Sequence, residues 1–165
     1  MSSRMFTLLR GQNGITYESS CSLSCYKWLG NISLYSVCDP KKVVKNREND
    51  GVLLLLIQLL NRLITHGITE RELNESKGNI RGFFLQDMVE IQKIAIHNGY
   101  ESIVCENPNV IPYDKLYETQ YHKITRSEIH RILRQYFTRN NMSVVIVGED
   151  VPDLALVQTY FTRFS

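Results

Sequence analysis

The chain is poor in everything that would make its purpose obvious. Its 165 residues hold four cysteines, four prolines and a single tryptophan. No Cys-x-x-Cys pair is present, so neither a zinc finger nor thioredoxin-type redox chemistry is supported. Cys21 and Cys25 fall four apart in a strand-like run, about 13 Å from each other and too far to bridge. The cysteines therefore read as reduced thiols of an intracellular protein, cytoplasmic or mitochondrial. A long hydrophobic run is also missing: the longest, Val52 to Leu60, is interrupted by Gln58 and falls far short of a membrane span. The formal charge is only +2, and no basic run interleaves with aromatics, which leaves nucleic acid without a footprint. The densest cationic stretch, Lys41, Lys42, Lys45 and Arg47, meets Glu48 and Asp50 at once and reads as a solvated face. Glycine-rich phosphate loops and a nucleophile elbow are absent. Acids are missing from Met1 to Tyr17, where two arginines and several hydroxyls give the composition of a mitochondrial transit peptide. The patterning of the same residues favours a folded segment instead.

What is present is periodicity. Met5, Phe6, Leu8 and Leu9 recur at helical spacing, and Asn13-Gly14 ends that helix. Ile15–Cys25 and Asn31–Cys38 follow as two strand-like runs, with Gly30 near their turn. Asp39-Pro40 opens a helix predicted from Lys41 to about His66, with a weak point at Asn49-Asp50-Gly51. Its second half is apolar nearly all round, so it must pack between layers. Leu54, Leu55, Ile57, Leu59, Leu60 and Leu63 are its predicted core. Thr69-x-x-Glu72 and Thr125-x-x-Glu128 are capping boxes. The first should start a helix reaching Asn98-Gly99, the second a helix through Phe137. Tyr113–His122 reads as a short helix, Met142–Val147 as a buried strand, and Val151–Phe164 as a closing helix. The size is that of one domain over residues 1–165, and the mixture of elements indicates an α+β class.

Four of these segments, in order, resemble one family. Ser2-Ser3-Arg4-Met5-Phe6, Leu9-Arg10 and Gly14-Ile15-Thr16-Tyr17 form the first. Gly67-Ile68-Thr69-Glu70-Arg71-Glu72-Leu73 with Lys77 forms the second. The Ile124-Thr125 segment before a helix ending in Tyr136-Phe137, and the closing helix, complete the set. Together they are similar to the zinc-free, C-terminal type of domain in the pitrilysin and mitochondrial processing peptidase family of zinc metallopeptidases. The resemblance implies a mostly antiparallel sheet with long helices packed on one face. It also implies that a strand and helix of the family's domain precede the point at which this chain begins. A domain lacking them would be incomplete at its N-terminus, with a face that invites a partner.

The family's metal half carries His-x-x-Glu-His on one helix. Nothing here matches it: His66, His97, His122 and His130 are scattered, and His97 and Glu101 flank Gly99, where a helix is expected to fail. The expectation is no catalytic residue and no metal or cofactor in this chain, with zinc only in a partner domain. By the resemblance, Arg10 and Tyr17, seven apart as in the family, would bind substrate, steadying the scissile carbonyl of an extended peptide. Taken on residue type alone, Arg10 is a solvated helix-end cation and Tyr17 an ordinary strand aromatic. Gly11 departs from the family, where Glu is frequent. Two functions stay open: a non-catalytic, substrate-binding half that acts with a zinc-bearing half, or an interaction subunit that kept the fold and lost proteolysis.

Overall fold

The computed structural model describes residues 3–164; Ser2 of the first motif lies outside them. A helix α1 (Arg4–Phe6) widens into a π-helical turn (Thr7–Gln12) and is followed by the strands β1 (Thr16–Cys25) and β2 (Gly30–Cys38). After a 3-10 turn at Pro40–Lys42 come α2 (Val52–His66), α3 (Glu70–Asp87), α4 (Ile91–Gly99) and α5 (Tyr113–Leu116). The chain closes with α6 (Arg126–Tyr136) and α7 (Leu154–Phe161). The fold is α+β, and β1 and β2 form an antiparallel two-stranded sheet. The chain divides into two compact units, one of Gly67–Arg131 and one of the residues on either side, the division falling within α6.

The flanking unit is organised around α2. Leu53, Leu54, Ile57 and Leu60 pack with Val157, Tyr160 and Phe164 on one side. Val52, Leu55 and Leu59 pack with Met5, Leu9 and Ile15 on the other. The all-round apolar pattern of the helix is thus used on two faces. Of the predicted core, only Leu63 stays half-buried. Polar ties reinforce one side: the buried Tyr160 hydroxyl accepts from the Lys45 amide at 2.9 Å, and Asn61 Nδ2 donates to the Arg163 carbonyl at 2.8 Å.

The helix predicted from Lys41 begins only at Val52. Asn46 Oδ1 accepts from the amides of Glu48 and Asn49, at 2.8 and 3.0 Å, and Asn49 Oδ1 accepts from Gly51 at 3.1 Å. Side chains that bind the backbone locally offer it an alternative to the helical ladder. Gly51 is the pivot, with φ +76°, and a Cβ there would lie 2.4 Å from the Val44 carbonyl carbon.

Met142–Val147 is a second correction. It forms no ladder, and Ser143–Gly148 make no backbone hydrogen bond among the described residues. Met142 and Ile146 pack against the α2–α7 cluster, while Val145 and Val147 are 85% and 91% exposed. An apolar run shows that a segment can line a core, but pairing needs a neighbouring strand, which the described residues do not supply.

In the unit Gly67–Arg131, both capping boxes form. Thr69 Oγ1 accepts from the Glu72 amide at 3.2 Å while Glu72 Oε2 accepts from the Thr69 amide at 2.7 Å. Thr125 and Glu128 repeat the exchange at 3.3 and 2.7 Å. Arg126 Nε donates to the Ile68 carbonyl at 2.7 Å, which ties the two helix starts together. Lys77 Nζ donates to the His122 carbonyl at 2.6 Å, satisfying a group that a helix end leaves free. Contrary to the sequence expectation, α3 stops at Asp87 and not near Gly99. The Glu90 amide turns back to the Asp87 carbonyl at 2.9 Å, and Lys93 bridges Asp87 and Glu90 across the break. Conversely, α4 does not fail at Gly99 but runs on as a π-helical turn, Tyr100–Val104.

Gly51→Ala should lower stability by about 1–3 kcal/mol for the left-handed backbone alone, with the Val44 clash added, as read from urea midpoints. Leu60→Ala should cost about 2–5 kcal/mol in the same titration. The hydrogen bond from Lys93 holds the Asp87 carboxyl below its ordinary range, and hydrogen bonds from the Thr125 hydroxyl and amide do the same for Glu128. A depressed folded-state pKa contributes stability that is present above the unfolded value and lost as pH falls through the folded one. Stability should therefore decline as the pH drops through and below the ordinary carboxylate range. Glu128→Gln should flatten part of that decline in acid titrations followed by circular dichroism.

Candidate functional site

The two residues singled out by spacing, Arg10 and Tyr17, lie on either side of a turn built from local chemistry. Ser3 caps α1, its hydroxyl accepting from the Phe6 amide at 3.1 Å. Met5 and Leu9 face the core and are buried, which leaves Arg10 and Gly11 toward solvent. At Gly14 the backbone turns left-handed, with φ +59°. That lets the amides of Gly14 and Ile15 donate back to the carbonyls of Arg10 and Leu9 at 3.1 and 3.0 Å. Asn13 Nδ2 donates to the Leu8 carbonyl at 2.7 Å, and Lys42 Nζ to the Gly14 carbonyl at 3.3 Å. The chain then enters β1 in a direction set by these bonds.

Tyr17 follows at a break in the ladder. Thr16 pairs with Cys38 and Glu18 with Val37, so Tyr17 is an extra residue in a β-bulge. A bulge re-aims a side chain and leaves backbone groups out of the ladder. Here the Tyr17 carbonyl accepts from Arg10 Nη1 at 3.1 Å. The guanidinium also lies 5.8 Å from the Phe6 ring centre. Both residues are exposed, the tyrosine at 69%. The contact between the two residues thus runs from the arginine side chain to the tyrosine's backbone carbonyl. A guanidinium has five N–H donors, and one used this way leaves others for a ligand. The bulge itself was not readable, because Thr16-Tyr17-Glu18 carries no glycine or asparagine to mark it.

Gly11 sits in the π-helical turn beside Arg10 without a positive φ, and a Cβ there would meet only the Phe6 carbonyl oxygen, at 3.9 Å. Neither conformation nor space requires glycine at this point.

No group of three or more His, Cys, Asp or Glu that could hold a metal ion occurs among the described residues. The four cysteines are free, and burial pushes the Cys21 and Cys38 thiols above their ordinary range, Asp39 adding to the shift at Cys38. Raised thiol pKa values argue against an activated nucleophile. No described single helix is long and apolar enough to cross a membrane.

Residues 1–80 match the family described as the Peptidase M16 inactive domain. The chain is also similar to uncharacterized zinc proteases of Mycobacterium tuberculosis and Mycobacterium bovis, 29% identical over 82 residues in each case. The protein of the same description from Mycobacterium leprae is likewise 29% identical over 82 residues. In each comparison the aligned stretch is 50% of this chain and 17% of the relative. Residues 1–80, matched by the family, contain α1, the bulged hairpin, α2 and part of α3, and hence both Arg10 and Tyr17.

Gly11→Ala should raise stability by about 0.5–1 kcal/mol, since glycine inside a helical turn is worth that much less than alanine. Thermal unfolding of the variant beside the parent chain measures it.

Proposed function

We propose that this chain, a peptidase M16 inactive domain in its first 80 residues, binds extended peptide substrate as the non-catalytic half of a zinc peptidase. M16 inactive domains work alongside a zinc-bearing half. The bond-breaking apparatus, metal and water included, would then come from that partner, and this chain would supply positioning. The observation that carries the reading is the placement of Arg10 and Tyr17: adjacent, exposed, and held by a left-handed turn and a bulge. Irregular backbone of this kind is over-represented beside active sites.

The division of labour follows from the donor inventory. Arg10 keeps N–H groups beyond the one given to the Tyr17 carbonyl, and a charge-assisted hydrogen bond to a peptide carbonyl is among the stronger neutral-to-ion contacts. It acts on the ground state and the transition state alike. The Tyr17 hydroxyl would donate to the oxyanion that develops as the carbonyl is attacked, and so act mainly in the transition state.

One observation favours a second reading, an interaction subunit without a role in proteolysis. Gly11 stands where the family frequently has Glu, and nothing in the local backbone calls for glycine. An acid there would orient Arg10, so its absence loosens the clamp.

Reconstitution with a zinc-bearing M16 half and a reporter peptide separates the two. Tyr17→Phe should lower kcat by about 10²–10³-fold with KM little changed. Arg10→Ala should raise KM and lower kcat/KM, and neither substitution should move the unfolding midpoint, because both residues are exposed. Substitutions that destabilise the domain and leave turnover intact would assign the pair to structure and favour the interaction subunit.

A further inference from the structure

A second candidate site lies within the unit Gly67–Arg131, well separated in sequence from Arg10 and Tyr17. A cavity of about 240 Å³ is walled by Phe84, His97, Glu101, Tyr113, Gln120 and Tyr121, which come from α3, α4, α5 and the π-helical turns that extend the last two. Three aromatic rings form one side: Phe84 lies 5.1 Å from Tyr113 and 5.3 Å from Tyr121, centre to centre. His97 stands edge-on to Tyr113 at 5.3 Å. The Tyr113 ring is held from outside, its hydroxyl donating to Asp87 Oδ2 at 3.1 Å, and Asp87 in turn is bound by Lys93.

Two features of the lining call for a ligand. His97 Nε2 is buried and has no hydrogen-bond partner, which is expensive for a ring nitrogen. Glu101 receives one hydrogen bond, from Asn107 Nδ2 to Oε2 at 3.2 Å, and no basic side chain pairs with its carboxylate among the described residues. Both come from consecutive turns of one continuous helical segment, at i and i+4, because the chain passes Gly99 without breaking.

The lining selects a chemical class. No lysine or arginine contributes to it, and the one formal charge is negative, so an anion is disfavoured. The volume falls below the ~300–1,000 Å³ of sites for drug-sized ligands, which excludes a nucleotide or a large cofactor. Aromatic faces attract cations, by about 0.5–2 kcal/mol according to burial. An ammonium group carries three N–H donors, and the wall offers three acceptors: the Glu101 carboxylate, His97 Nε2 and the Gln120 side-chain carbonyl. Leu116 and Ile111 provide apolar surface for a short methylene stem. We propose that this cavity binds a primary alkylammonium, either the side chain of a lysine within a peptide or a free monoamine.

Titrating the full chain, followed by two-dimensional amide NMR, tests the assignment. The probes are n-butylammonium, Nα-acetyl-lysine N-methylamide and the uncharged Nα-acetyl-norleucine N-methylamide. Both ammonium probes should shift resonances of His97, Glu101, Tyr113 and Tyr121, with the norleucine probe binding at least about tenfold more weakly. Glu101→Gln, which keeps the side chain's shape, should weaken the ammonium probes about tenfold. Gln120→Leu, at an exposed position that cannot disturb the core, should weaken them severalfold and guards against a folding defect in the first variant. Tighter binding of the lysine derivative assigns the site to peptide-borne lysine, and tighter binding of butylammonium to a free amine. The proposal is overturned if the norleucine probe binds as well as the lysine probe. It is equally overturned if neither amine perturbs the cavity, or if both variants bind the amines unchanged.

Discussion

Everything in the flanking unit depends on a helix with no polar face of its own. From Val52 to Leu60, α2 offers water only Gln58 and a half-buried Leu56, so it cannot stand at a surface. Burial on one side would leave the other exposed, and the two clusters are the physical answer. Leu34, from β2, touches both of them and joins the hairpin to the helix. This arrangement explains why the chain's first and last helical segments, far apart in sequence, pack on different faces of the same helix. It also gives the α1–β1 turn a rigid base, since Met5, Leu9 and Ile15 are anchored on α2 while Arg10 to Gly14 are exposed.

The candidate site is made from two irregularities placed on that base. A π-helical turn adds a residue before Gly14, and a bulge adds one after it. Each would weaken a regular element, yet together they bring a guanidinium to a strand carbonyl without burying either side chain. The turn lies within residues 1–80, the stretch that matches the peptidase M16 inactive domain. The relatives carry their other four-fifths outside the aligned stretch.

What could be read in advance was local. Thr69 and Thr125 announced two helices because a capping box needs only four consecutive residues, and the density of leucine in α2 announced a core. The family resemblance rested on four such short segments, and the first two lie in residues 1–80, which match the peptidase M16 inactive domain. Places where the reading failed involve competition or distance. Asn46 and Asn49 each bind nearby amides and so dissolve the helix that Lys41 to Val44 would have continued. Gly99 looked like a stop, but a glycine flanked by helical residues costs only about 1 kcal/mol, and the segment runs through it. The pairing state of Met142–Val147 depends on residues far away in the chain, which periodicity does not encode.

That last segment bears on association between copies of the chain. Ser143-Val144-Val145-Ile146-Val147 is uncharged, rich in β-branched residues and free of proline, with unpaired backbone groups along its length. Segments of this composition stack readily into intermolecular sheets when left open. The nearest charges that could interrupt such stacking are Arg139 before it and Glu149-Asp150 after it, gatekeepers at the ends and none within. Self-association through this run is opposed by those end charges and by the packing of Met142 and Ile146 on the α2–α7 cluster.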